Sequence, residues 1–188
     1  MKIERKFTKK GESPYKGITF KKVRSEIRNP DGSIIFELNN VEVPIKWSQV
    51  ATDIIAQKYF RKKGIPKYIK KISEKNIPDW LSKSCADENK LKEIPQGERF
   101  HGESSSKQVF NRIAGTWTYW GWKGKYFDIE EDAKTFYDLH TSSVGSTGGG
   151  DGGGIYILDG DTLEGNFQFG QFILSCHVPQ PPCTTGSN

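Results

Sequence analysis

Residues 17–43 read GITFKKVRSEIRNPDGSIIFELNNVEV, and the tetrapeptide at their centre decides how the chain begins to fold. In Asn29-Pro30-Asp31-Gly32 the proline presets φ for a turn and the glycine supplies a positive φ. The flanks Ile18–Phe20 and Ile34–Phe36 are β-favouring, so the stretch predicts a β-hairpin. Before it, residues 1–16 are basic and turn-rich (Lys9-Lys10-Gly11, Ser13-Pro14) and read as an extended arm.

Pro44 ends the extended run. From Trp47 the apolar residues Val50, Ala51, Ile54, Ile55 and Tyr59 recur on one face of a 3.6-residue period, and Gly64 and Pro66 stop it. Residues 65–103 hold Pro66, Pro78 and Pro95 between short apolar clusters and predict short helices and loops. A second helix is expected from about Ser106, with Val109, Phe110, Ile113, Ala114 and Trp117 as its buried stripe. Serines ahead of it offer an N-cap. A third is expected from Asp128, paired with Glu131 as in a capping box, with Ile129, Ala133, Phe136 and Tyr137 as its apolar positions. The fold class expected is α+β: an N-terminal β-hairpin, a small helical module, and a Gly-rich, largely irregular C-terminal tail.

Composition divides the chain. All 28 lysines and arginines lie in residues 1–139, whereas 11 of the 20 glycines lie in residues 140–188. The division predicted is a module at 1–139, a Gly-rich linker at 140–154 and an unassigned tail at 155–188, with a weak hairpin over 155–174. The hydrophobic fraction of 34% is low and implies a modest core. A pI near 9.0 suits an anionic partner or a solvated basic surface. No run of 18 apolar residues or signal-peptide pattern is present, and three cysteines make no disulfide framework. A cytoplasmic setting is expected.

The densest feature is WTYWGWKGKYF (117–127), with six aromatics and two lysines in eleven residues. Trp117, Tyr119, Trp120, Trp122 and Lys123 are candidates for docking on a neighbouring domain or for stacking a planar ligand. Other patterns carry less. The glycines of 145–154 lack the Gly-Lys-Ser/Thr ending of a phosphate loop. Cys176, His177 and Cys183 lack a fourth zinc ligand and a usual spacing. Cys85 and His101 assemble no catalytic set. The basic runs Lys21-Lys22, Arg61–Lys63 and Lys70-Lys71 are too scattered for a nucleic-acid patch. No catalytic residue and no metal site is assigned.

Four blocks carry a family resemblance: SPYKG (13–17), SEIRNPDGS (25–33), VPIKWSQVATDIIAQKYFRK (43–62) and KQVFNRIAGTWTYWGWKG (107–124). In order and approximate spacing they resemble the beginning of adenosylcobalamin (vitamin B12)-dependent, class II ribonucleotide reductases. The resemblance implies a region preceding the catalytic barrel in which ribonucleotides become deoxyribonucleotides for DNA synthesis. There a thiyl radical, generated from adenosylcobalamin, abstracts the ribose 3′-hydrogen, and a cysteine pair reduces the 2′ position. After Phe136-Tyr137-Asp138 this chain departs from the family pattern. None of its cysteines matches the family's reactive ones, so the chain alone is not expected to reduce ribonucleotides.

Two functions follow as expectations. One is the N-terminal part of a B12-dependent ribonucleoside-diphosphate reductase, with the catalytic barrel domain as partner. The other is a stand-alone module that binds a nucleotide, cobalamin or nucleic acid through the Trp-rich segment.

Overall fold

The computed structural model describes residues 1–146. The linker beyond Ser146, the expected tail hairpin, and Cys176, His177 and Cys183 lie outside the described residues.

The hairpin forms as the turn chemistry requires. Strands β1 (Phe20–Arg28) and β2 (Ile34–Pro44) pair antiparallel, and Gly32 takes φ +86° at the turn. A bulge between Val23 and Ser25 sets Arg24 against Asn39 and Asn40. Asn40 takes φ +60°, a left-handed conformation that asparagine tolerates better than most residues. Past the bulge the inner face carries Val41 and Val43, both fully buried.

Ser48 caps helix α1 (Gln49–Ile54) by accepting from the Ala51 N–H, and the chain runs on through a π-helical turn at Ile55–Tyr59. The buried face differs from the expected one. Thr52, Ile55, Ala56 and Tyr59 are inside, whereas Val50 is 68% and Ile54 41% exposed. The Thr52 hydroxyl donates to the Ser48 carbonyl at 2.9 Å, so its methyl side can be buried at no polar cost and the stripe moves round by one residue.

Between Ile65 and His101 the chain contains short strands as well as short helices. They are β3 (Ile65–Pro66), β4 (Ile69–Lys71), β5 (Ser84–Ala86) and β6 (Phe100–His101), with a short helix α2 (Glu88–Lys92). The pairs are β3 with β6 and β4 with β5, each antiparallel. Then come the long helices α3 (Ser106–Lys123) and α4 (Glu130–Ser146). Ser105 and Gln108 form a reciprocal capping box on α3. Helix α4 continues past Leu139, where the patterned region was expected to end, because Thr141 to Val144 contain no helix breaker.

The core joins hairpin, α1 and α3: Val41, Val43, Trp47, Ile55, Ala56, Tyr59, Phe60, Val109, Phe110 and Ile113, with Trp117 packed against it. Burying such side chains is worth about 1.5–3 kcal/mol each. The N-terminal arm is tied down as well. Arg5 bonds Glu131 at 2.7 Å and Asp138 at 2.8 Å on α4, and Asp132 accepts the Ile3 N–H at 2.8 Å.

Candidate functional site

The Trp-rich segment forms the last turns of α3 and the turn into α4, and that placement gives its aromatics different tasks. Tyr119 is 9% exposed. Its hydroxyl donates to Glu74 at 2.7 Å, which holds that carboxyl below its ordinary value. Trp117 meets the His140 ring edge-on at 5.6 Å. Phe127 packs on Phe136 at 5.4 Å, an approach that Gly121 permits, since a Cβ there would stand 2.7 Å from the Phe127 ring. The Trp122 indole N–H donates to the Asn76 carbonyl at 2.7 Å. Lys123 stands 5.3 Å from the centre of the Tyr119 ring. Trp120 remains 45% exposed and shares the surface of this turn with Tyr126 at 66% and Ile129 at 59%.

Of the five candidates, Trp117 and Tyr119 therefore face inward, Trp122 is half-buried and tethered, and Trp120 and Lys123 reach solvent. The exposure of Ile129 differs from its expected inward position, because helix α4 begins one residue after it.

A second feature lies at the other end of the core. A cavity of about 310 Å³ opens between β2 and the segments Phe60–Lys62 and Gly102–Ser104. Its floor is a close backbone approach: the Glu103 N–H donates to the Arg61 carbonyl at 2.8 Å, and the Arg61 N–H donates to the Glu103 carboxylate at 2.9 Å. A Cβ on Gly102 would lie 2.6 Å from the Lys62 carbonyl oxygen, so only glycine lets the two segments approach this closely. Glu103, 5% exposed, accepts two bonds from Arg112 at 3.1 and 3.0 Å, and Arg112 also donates to the Tyr59 carbonyl at 3.1 Å. This buried pair joins α3 to the end of the π-helical turn. Sequence reading missed Arg61, Gly102, Glu103 and Arg112, which lie in different segments.

His101 is exposed beside this cleft, with Nδ1 2.7 Å from the Gly102 carbonyl. Cys85 is a free thiol on β5. Among the described residues no group of three His, Cys, Asp or Glu side chains is placed to hold a metal, and no helix is long and apolar enough to cross a membrane.

Among the described residues, the architecture presents two surface features, the aromatic α3–α4 turn and the cleft beside β2. The family model for class II vitamin B12-dependent ribonucleotide reductase matches residues 21–143. The chain belongs to that family and corresponds to its N-terminal region. It is 58% identical over 138 residues to the vitamin B12-dependent ribonucleotide reductase of Agrobacterium fabrum. The enzymes of the same name from Bradyrhizobium diazoefficiens and Rhodopirellula baltica are 56% and 29% identical over the same length. Each match covers 73% of this chain but only 10–11% of the relative. The chain therefore spans about a tenth of the length of the relatives it matches.

Proposed function

We propose that this chain is an accessory module of a vitamin B12-dependent ribonucleoside-diphosphate reductase, which docks on the catalytic barrel and helps to assemble or shield it. The observation that carries the reading is the α3–α4 turn, where Trp120, Tyr126 and Ile129 are left at the surface while their neighbours are buried. The relatives are roughly nine times as long as the stretch they share with this chain, which provides the occupant for such a surface. Large aromatics at an interface desolvate the most area for the least rotamer entropy.

Adenosylcobalamin would serve the complete enzyme. The described residues do not fit it: the cavity of about 310 Å³ is at the lower end for a drug-sized ligand (about 300–1,000 Å³), far below a corrin with its adenosyl group. His140, half-buried between Trp117 and Phe136, is not presented as a ligand. Radical chemistry, ribonucleotide binding and the reducing cysteines accordingly belong to the barrel, in the cytoplasm.

The test mixes this chain with a separately expressed catalytic body of a relative. Binding is measured by calorimetry, and deoxynucleotide formation is assayed with adenosylcobalamin. The expected result is binding that Trp120→Asp weakens at least tenfold, with no turnover by this chain alone. Unaided reduction of a ribonucleotide, or no binding to the catalytic body, overturns the reading.

A further inference from the structure

The cleft between β2 and the Arg61–Lys62 and Gly102–Ser104 segments has a charge arrangement that the core does not need. Two carboxylates line it and both are matched: Glu103 by Arg112, and Glu37 by Arg24 at 3.3 Å. The Lys62 ammonium lies 4.3 Å from the centre of the Phe36 ring and donates to the Ala56 carbonyl. The Arg61 backbone is held on both sides, but no hydrogen bond or ion pair to its guanidinium is present among the described residues. Burial, and then the neighbouring Arg112, lower the Arg61 pKa, and the Glu103 carboxylate, itself bound to Arg112, offsets this only in part.

We propose that this cleft is a binding site for a small organic oxyanion, with the Arg61 guanidinium as its charge partner and Phe36 and Leu38 as the wall for an apolar body. A half-buried arginine with five N–H donors favours a phosphate or carboxylate group, which it can grip with two parallel bonds. The cavity's size suits a metabolite-sized ligand. The rigid backbone floor at Gly102 and Glu103 means that little ordering is needed on binding.

The full chain, ¹⁵N-labelled, is titrated at low salt with inorganic phosphate, acetate and adenosine monophosphate, with chloride at matched ionic strength as control. The Arg61 Nε–H and the amides of Gly102 and Ser104 are followed by NMR. Phosphate and acetate separate the two headgroups, and the nucleotide tests the apolar wall. Saturable shifts confined to these signals are expected for at least one anion, weakened at least tenfold by Arg61→Gln, partly kept by Arg61→Lys and unchanged by Lys63→Gln. Shifts no larger than chloride's, or binding insensitive to Arg61→Gln in a variant with native amide dispersion, overturn the proposal. The catalytic body is absent from this experiment, so its failure leaves the docking proposal standing.

Discussion

The hairpin end and the α3–α4 end of this module use apolar residues differently. Around β2, α1 and the first half of α3, the inward-facing apolar side chains build the core and a matched Arg112–Glu103 pair closes the edge, while the large apolar residues left exposed there are aliphatic: Ile34, Ile35, Ile45, Val50 and Ile54. At the α3–α4 turn the same kind of residue is divided, with Tyr119 and Phe127 inside and Trp120, Tyr126 and Ile129 outside. Under the docking proposal, the exposed aromatics of the second end are the ones that meet the catalytic body.

Substitutions can break this contrast, beginning with the largest effect. Phe110→Ala removes a core ring 3% exposed and should cost about 3–5 kcal/mol, read as a lower midpoint in urea unfolding. Arg112→Ala leaves the Glu103 carboxylate buried and unpaired and should cost about 3 kcal/mol. The same measurement checks it, and in Glu103→Gln/Arg112→Ala part of the loss should return. Ser105→Ala removes both the α3 cap and the bond to Glu42, for a loss of about 1 kcal/mol. Trp120→Ala should change stability by less than about 0.5 kcal/mol, although docking on the catalytic body fails. If Trp120→Ala instead unfolds the module, the two ends do not differ as described.

His140 sharpens the comparison through pH. Burial among aromatic rings lowers its pKa from 6.5, so the fold favours the neutral ring. As pH falls through 6.5 the unfolded chain takes up a proton that the folded chain refuses. Stability is therefore full above that pH and declines below it. Thermal unfolding between pH 7.5 and 5 should show this decline, and His140→Phe should flatten it. The carboxylates of Glu42 and Asp132, bonded first by Ser105 and by the Ile3 N–H respectively, lie below their ordinary values. Their contribution is lost only in stronger acid.

Local chemistry made much of this legible. A turn tetrapeptide, serines able to cap a helix and the spacing of Val109, Phe110 and Ile113 each act over a few residues, so the hairpin and α3 were readable directly. Val50 and Ile54 were not placed correctly, because a period of 3.6 allows two adjacent stripes and the buried Thr52 decides between them. The short strands between Ile65 and His101 left no periodic trace, since two or three residues are too few to show alternation.

Family membership, the α+β class and the aromatic density at 117–127 were determined by sequence alone, because each is a property of residue order. Which aromatics stay at the surface, and the meeting of Arg61 with Gly102, Glu103 and Arg112, were decided only by the tertiary structure. Those contacts join residues some 40 positions apart, and no local preference encodes a partner at that distance. Only the packing of β2 and α3 around a shared core brings the two segments together.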